Sequence, residues 1–350
     1  MSRKYSLRHF SRSFAVAALL CGLFAAVRPI AAQQPYKVID RWKIGGEGGW
    51  DDLRADYAAH RLYLTRGSRV DVVDTEFGKL VGSIAGLHGT HGVALDTAGK
   101  FGYISDGGGN AVVVFDRATL ATVATIPAGT NPDAIIFEPV TQTVWAFNGR
   151  SKDATVIDAA SITVVATVSL PGRPEFAVVD SQGNVFANIE DKNEVVRIDA
   201  KTKRLTGEWP LAGCDGPSGL AIDAVGGRLF SVCDGKKMAV TDVNTGKSLA
   251  TPTIGDGPDG AGFDAKHKLA FASCGHDGIL SVVDAAAPGY PTIESLPTKN
   301  GARTMFYDSA ADRIYTVTAD FGPRPAATPD NPRPRPAIIP GSFVVLVIGR

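Results

Sequence analysis

Seven polar side chains recur along this 350-residue chain at intervals of 40 to 44 residues: Asp51, His91, Asp133, Glu175, Ser218, Asp259 and Arg303. Four carboxylates and an imidazole brought to one place could hold a hard cation such as Ca²⁺ or orient a water molecule. We therefore treat all seven residues as a candidate ligand-binding ring. Its candidate metal ligands are the four carboxylates, Asp51, Asp133, Glu175 and Asp259.

Two interpretations of the ring remain open. A water-filled opening lined by polar groups needs no ligand, and Arg303 would then only offset part of the acidic charge. If the chain is an enzyme, His91 is the candidate general base and Arg303 the candidate clamp for an oxyanion or carboxylate. The sequence specifies no pair of nucleophile and base, so the catalytic residues are otherwise unknown.

The ring positions belong to a repeat of about 42 residues. Five residues after each of them stands an acid: Asp56, Asp96, Glu138, Asp180, Asp223, Asp264 and Asp308. A second series has the same period: Asp74, Asp116, Asp158, Asp199, Asp242 and Asp284. Acids that recur at turns are expected to accept hydrogen bonds from backbone N–H groups, so both series are predicted to be structural.

Each period contains four short runs of alternating apolar residues, which in the second unit are HGVALD, FGYISD, AVVVFD and ATVATIPAG. This pattern predicts an all-β, seven-bladed β-propeller with four-stranded antiparallel blades. The chain ends on a third strand, SFVVLVIGR, and Tyr36 to Gly45 supply the missing fourth, so the N-terminal strand completes the last blade. First strands line the channel of a propeller, which places the ring around the mouth of the channel on the top face.

The repeat units resemble the YVTN-repeat, YncE-like propeller family. The likeness is carried by YISDGGGNAVVVFD, FSVCDGKKMAVTD, IYTVTAD and strand ends such as VVD or VID, and it extends from about Trp42 to the end. The resemblance implies an exported propeller. Members of the family include exported proteins of unassigned activity, so it implies no particular reaction.

The N-terminus predicts export. Four basic residues, Arg3, Lys4, Arg8 and Arg12, precede the apolar run FAVAALLCGLFAAV and the small residues of PIAA. This is typical of a secretory signal peptide, here residues 1–32, followed by one propeller domain, residues 33–350. An uncleaved anchor is the alternative. A periplasmic or secreted monomer with no membrane span in its mature part is expected.

The charge of the mature chain argues against a nucleic-acid partner. The leader removes five of the 36 basic residues and no acid, which leaves 31 basic against 36 acidic side chains. A generic phosphate-binding surface needs the opposite balance.

Three cysteines remain after the leader: Cys214, Cys233 and Cys274. A hairpin centred near Val225 brings Cys233 towards Cys214, so a Cys214–Cys233 disulfide is the favoured pairing in an oxidising compartment. A Cys233–Cys274 bridge between blades is second, and a soft-metal site that adds His276 is third. His88 and His91, three residues apart, form another weak candidate for a shared metal.

One loop departs from the repeat. Residues 319–341 contain seven Pro and are expected to sample polyproline II, as a lid on the top face or an arm that binds a partner. Together these features predict an exported binding or scaffold protein for an unknown small molecule or protein partner on the top face. The alternative is a lactonase-like, metal-dependent hydrolase with a cation at the channel mouth. No cofactor other than such a divalent cation is indicated.

Overall fold

The computed structural model describes residues 1, 2, 4, 34–328, 334 and 336–350. Apart from residues 1, 2 and 4, the predicted signal peptide, residues 1–32, lies outside this described part. The chain divides into two units, Met1–Gln34 and Pro35–Arg350, and every strand of the described residues belongs to the second. Within the described ranges, no helix has the length and apolar character needed to cross a membrane.

The strands of the second unit form seven antiparallel blades. Blade 1 contains β2 (Leu53–Asp56), β3 (Arg61–Thr65), β4 (Gly67–Asp74) and the first half of β5 (Lys79–Leu95). Blade 2 contains the second half of β5 with β6 (Phe101–Asp106), β7 (Ala111–Asp116) and β8 (Thr122–Pro127). The long strand β5 serves both blades, because its residues 79–85 pair with β4 and its residues 93–95 with β6.

The next blades follow the same order from the channel outwards. Blade 3 contains β9 (Pro132–Glu138), β10 (Thr143–Asn148), β11 (Asp153–Asp158) and β12 (Thr163–Ser169). Blade 4 contains β13 (Pro174–Val179), β14 (Asn184–Ile189), β15 (Glu194–Asp199) and β16 (Arg204–Pro210), with a short 3₁₀ turn at Glu190–Lys192. Blade 5 contains β17 (Leu220–Asp223), β18 (Arg228–Cys233), β19 (Lys237–Asp242) and β20 (Ser248–Ala250).

Blade 6 contains β21 (Pro258–Asp264), β22 (Leu269–Cys274), β23 (Ile279–Asp284) and β24 (Thr292–Pro297). Blade 7 contains β25 (Met305–Asp308), β26 (Arg313–Thr318), β27 (Val344–Gly349) and β1 (Lys37–Lys43). The predicted seven-bladed propeller is therefore confirmed, including the N-terminal strand in the last blade.

Burial explains the composition of the strands. Second strands such as β10 and β14 are buried at every residue, whereas fourth strands such as β12 are mostly exposed. The apolar cores lie between neighbouring blades: one cluster joins Trp145 and Val156 of blade 3 to Val185 and Val196 of blade 4. Because both faces of a blade are covered by its neighbours, its middle strands read as continuous apolar runs.

The recurring acids have the predicted structural role. Each of the thirteen accepts at least one hydrogen bond from a backbone N–H two to five residues further on, at the end of a first or a third strand. Glu138 shows the geometry: its two carboxylate oxygens accept from the N–H groups of Val140 and Thr141, both at 2.7 Å. These acids hold turns and are not part of the candidate site.

The ring closes without a covalent link. Strand β1 runs antiparallel to β27, from Lys37 opposite Gly349 to Lys43 opposite Val344. Trp42 anchors the closing strand: it is buried, its ring centroid lies 5.6 Å from that of Tyr315, and its Nε1 donates to Asp40 Oδ2 at 2.8 Å.

The structure joins Cys214 to Cys233 in a disulfide, with their Cα atoms 5.3 Å apart. Asp215 and Asp234, the residues after each cysteine, form an antiparallel bridge beside it. Cys274 is a free, buried thiol, and burial raises its pKa to about 11. A buried thiol with a raised pKa is a poor metal ligand, which argues against the soft-metal alternative.

We predict that Trp42→Ala lowers the free energy of unfolding by about 3 kcal/mol, because it removes a buried aromatic side chain from the closing strand. Ile39→Ala, on the same strand but with Ile39 already 39% exposed, should cost no more than about 1 kcal/mol. Urea unfolding of both variants measures the difference. Equal losses would show that burial of Trp42 does not anchor the closing strand.

Candidate functional site

Arg303 lies between two of the predicted ring carboxylates. Its Nη2 is 2.8 Å from Asp51 Oδ1 and also donates to the Trp50 carbonyl at 3.2 Å. Its Nη1 pairs with Asp259 Oδ2. The guanidinium, carried on the loop before blade 7, thus joins the loop before blade 1 to the start of β21 in blade 6.

His91 lies on the other side of Asp51. Its Nδ1 is 2.6 Å from Asp51 Oδ2 and 3.4 Å from Asp133 Oδ1. The ring fits because residue 107 is a glycine: a Cβ there would stand 2.6 Å from His91 Cδ2. Gly107 belongs to the DGGGN turn between β6 and β7.

Buried polar residues of the second strands fix the backbone of the ring. Each of the following donates a hydrogen bond from its side chain to the carbonyl of the ring residue that precedes the next blade: Thr65 to His91, Ser105 to Asp133, Asn188 to Ser218, and Ser273 to Arg303. These four donors are fully buried or nearly so. A carbonyl buried without a partner is costly, so the bonds hold each loop in one conformation.

The other two ring residues have different partners. The Glu175 carboxyl hydrogen-bonds to that of Glu190, which in turn pairs with Arg173. Ser218 Oγ donates to the Pro258 carbonyl at 3.3 Å. The structure therefore brings Asp51, His91, Asp133, Asp259 and Arg303 into one contact network, with Glu175 and Ser218 beside it.

The group of possible metal ligands at the mouth differs from the four carboxylates expected from the sequence. One atom each of Asp51, His91 and Asp133 lie within 4.8 Å of one another. Asp259 forms an ion pair with Arg303, and the carboxyl of Glu175 is hydrogen-bonded to that of Glu190. His91 enters the group because its ring turns towards both carboxylates, which the repeat alone does not determine.

The charges of the network are unevenly matched. Burial alone would raise the pKa of Asp51, but the hydrogen bond from His91 and the charge of Arg303 outweigh it and lower the pKa. Burial likewise opposes the charged form of His91, yet Asp51 and Asp133 together raise its pKa. Asp51 is therefore an anion held between the imidazole of His91 and the guanidinium of Arg303.

The pKa values of Asp133 and Glu175 are raised, unlike that of Asp51. Burial raises the pKa of Asp133 to about 6, with the His91 charge opposing and the Asp51 charge adding to the rise. Burial, the charge of Asp133 and the hydrogen bond to Glu190 raise the pKa of Glu175 to about 10. Near neutral pH, Glu175 holds a proton because no cation is close enough to neutralise it.

Below the mouth the channel widens into a cavity of about 260 Å³, lined by the first strands of all seven blades. Its wall is mainly apolar, with aromatic rings from Phe176, Phe263 and Phe306. Two charged residues also line it, Asp52 and Arg54. Sequence reasoning missed both, although the run DDLRAD places charged residues at alternate positions of a first strand that is otherwise expected to be apolar.

His88 does not share the partners of His91. Its Nδ1 lies 3.3 Å from Asp106 Oδ2, and its side chain is 72% exposed.

The two ends of the Pro-rich loop pair with each other. Phe321 and Ile338 form an antiparallel bridge, and Gly322 N donates to Ala337 O at 2.8 Å. Residues 329–333 and 335 of that loop lie outside the described part.

Solved structures similar to this one are propellers or propeller-bearing proteins. The hydrazine synthase of Kuenenia stuttgartiensis matches with a TM-score of 0.69 at 15% identity, over 77% of this chain and 92% of that one. U3-55K matches at 0.73 and 10% identity, over 89% and 99%, and the WD40 repeats of RRP9 at 0.74 and 11%, over 90% and 99%. At such identities the likeness establishes the fold alone: the chain is a β-propeller.

Within that class, part of the chain is similar in sequence to YncE proteins. It is 26% identical over 148 residues to the YncE proteins of Salmonella typhimurium and Salmonella typhi, both described as uncharacterized. The match covers 40% of this chain and 42% of each relative, so it spans less than half of their length. No family model matches the chain. The descriptions of these relatives name no activity that could be considered for this chain, and the YVTN repeat stays a resemblance.

We predict that Glu175→Gln raises the melting temperature at pH 8 and leaves it nearly unchanged at pH 4. A carboxyl whose pKa is raised on folding stabilises the fold at low pH, and this stability is lost as the pH rises from its ordinary value of 4.5 towards about 10. Glutamine mimics the protonated form and can still donate to Glu190, so the variant should escape that loss. Differential scanning calorimetry at the two pH values measures the effect.

The matched control is Glu47→Gln, because Glu47 lies exposed on the loop before blade 1. It should change neither melting temperature. If Glu175→Gln is no more stable than the native chain at pH 8, the Glu175 carboxyl is ionised at that pH and burial does not keep it protonated.

Proposed function

We propose that this chain is an exported binding protein whose channel mouth takes up a positively charged ligand, either a divalent cation or an ammonium group, on the top face. The observation that carries the proposal is the convergence of Asp51, His91 and Asp133, whose ligand atoms lie within 4.8 Å of one another beside Arg303. Export is supported by the leader-like residues 1–32 and by the Cys214–Cys233 disulfide.

The sign of the ligand follows from the charges at the mouth. Asp51, Asp133, Asp259 and Glu175 face one permanent cation, Arg303, and one side chain that can become a cation, His91, so at least two carboxyls have no cation of their own. The pKa values of Asp133 and Glu175 are both raised, so this excess of carboxyls favours the protonated form of each. A bound cation would replace those protons and would also compensate the burial of the carboxylates.

The described ends of the Pro-rich loop, residues 319–322 and 337–341, lie beside the proposed binding face. The stem at Phe321 packs on Trp50, with ring centroids 6.0 Å apart, and the Trp50 carbonyl accepts from Arg303. The loop therefore starts beside the mouth, where a lid or a partner-binding arm would act. In this proposal the small ligand binds at the mouth, and a protein partner, where there is one, contacts the loop.

We predict that Ca²⁺, Mn²⁺, Zn²⁺ or 1,4-diaminobutane binds in a 1:1 complex measurable by isothermal titration calorimetry. Binding should be at least about tenfold weaker at pH 5.5 than at pH 8, because Asp133 and His91 must release protons first. Asp133→Asn should weaken binding by at least about tenfold, since it removes one charged ligand. Asp234→Asn, an exposed acid on another top-face loop, should have no effect.

Two outcomes would overturn the proposal. One is that none of the four probes binds at millimolar concentration. The other is that Asp133→Asn and Asp234→Asn change the affinity equally, because the cation would then be attracted by the general surface charge and not by the mouth.

The second candidate is a lactonase-like, metal-dependent hydrolase, which the position of His91 and Arg303 beside the same group favours. A cation on Asp51 and Asp133 would polarise a carbonyl, His91 would accept a proton from water, and Arg303 would stabilise the developing charge. We expect from this candidate that the metal-loaded protein opens γ- and δ-lactones, followed by pH-stat titration, and that Asp133→Asn abolishes turnover. If the cation binds but no lactone is opened, the binding function is supported and the hydrolase is ruled out.

A further inference from the structure

The channel below the mouth contains a positive charge that no part of the proposed function uses. Arg54 lies on β2, one residue after Leu53, which is buried in the core between blades. Side chains alternate along a strand, so Arg54 and Asp52 both face the channel. Arg54 is exposed, and it lines the 260 Å³ cavity.

Arg54 has no ion-pair partner among the described residues. Its only direct partner there is the ring of Phe306 on blade 7, whose centroid lies 4.8 Å from the guanidinium carbon. The acids that influence it, Asp52, Asp308 and Asp56, act at longer range, and desolvation by the surrounding channel wall lowers the pKa of Arg54 despite them, although its side chain is in contact with water. A guanidinium keeps its proton under all ordinary conditions, so its charge must be met by an anion or by water.

The wall around Arg54 suits the apolar part of a ligand. Phe176, Val178, Ile136, Ile222 and Phe263 contribute apolar surface from four other blades. A cavity of roughly 150 Å³ with such walls is enough for benzene. The 260 Å³ available here therefore accommodates a ring with a short side chain.

We propose that the channel binds a small organic carboxylate with an aromatic or branched apolar body, and that Arg54 pairs with the carboxylate while the body lies against the aromatic wall. The planar guanidinium can form two parallel hydrogen bonds to a carboxylate and remain stacked on Phe306. This site is distinct from the acidic mouth, which selects the opposite charge.

Asp52 sets the direction from which such a ligand is held. It lies one residue from the mouth residue Asp51 and two residues before Arg54, and it lines the same cavity. An anionic group on the mouth side of Arg54 would meet the carboxyls of Asp51, Asp52 and Asp133. The carboxylate of the ligand therefore lies at the level of Arg54, away from the mouth.

Isothermal titration calorimetry with 3-phenylpropionate and with the neutral, nearly isosteric 3-phenylpropanol tests the proposal. We expect 1:1 binding of the acid, and binding of the alcohol that is about tenfold to a hundredfold weaker, since only the acid forms charge-assisted hydrogen bonds. Arg54→Gln should reduce the affinity for the acid to that of the alcohol. Arg54→Lys, which keeps the charge but not the planar pair of donors, should fall in between.

Arg204→Gln, an exposed arginine at the start of β16, is the matched control and should bind 3-phenylpropionate as the native chain does. Melting temperatures of all variants show whether the fold is intact, and Arg54→Lys keeps the test meaningful if Arg54→Gln does not fold. Equal affinities for acid and alcohol, native affinity in Arg54→Gln, or no binding of the acid at millimolar concentration would each overturn the proposal.

Discussion

A blade of this protein buries its apolar faces only against the two blades beside it, so every blade depends on the closure of the ring. The cluster between blades 7 and 1 shows the dependence most clearly, because it combines Trp42 of the N-terminal strand with Leu62 and Leu64 of blade 1 and Val345 of the last strand. If β1 left β27, this cluster would lose Trp42 and blade 7 would present an unpaired edge. Closure also sets the width of the channel, and hence the distances between side chains that enter from different blades.

Contacts between blades also determine the geometry of the mouth. Four buried side chains on second strands bind the carbonyls of ring residues that lead into the next blade, and Thr304 does the same for Asp51. The carbonyls of His91 and Arg303 also accept from the backbone N–H groups of Asp52 and Gly260, so losing the side-chain bond there removes one of two hydrogen bonds, at a cost of about 1 kcal/mol. The side-chain bonds tie five of the seven ring residues to the core of a neighbouring blade, so the carboxylates are held close together although their mutual repulsion favours separation.

The repeat determined how much of this could be predicted from the sequence. A polar residue at one register of every blade must enter the mouth, so the ring could be named without a structure, and an acid at a turn register could be assigned to capping. Which ring residues touch depends on rotamers and on the channel width, which no register encodes. Thus the choice of His91 as the link between Asp51 and Asp133, and of Glu190 as the partner of Glu175, required the structure. Arg54 was missed because its register was expected to be apolar.

The mouth and the channel differ in how an unpaired charge can be neutralised or solvated there. Carboxyls can take up a proton, and burial makes Asp133 and Glu175 do so, with pKa values raised to about 6 and about 10. Arg54 has no such route, because a guanidinium does not lose its proton, and it must keep water or an anion beside it. Protons therefore compete with any cation at the mouth, whereas only water competes with an anion at Arg54. Asp52 lies between the two regions: burial raises its pKa to about 7, Asp51 adds to the rise, and Arg54 opposes it. Its carboxyl is thus influenced by charges of both the mouth and the channel.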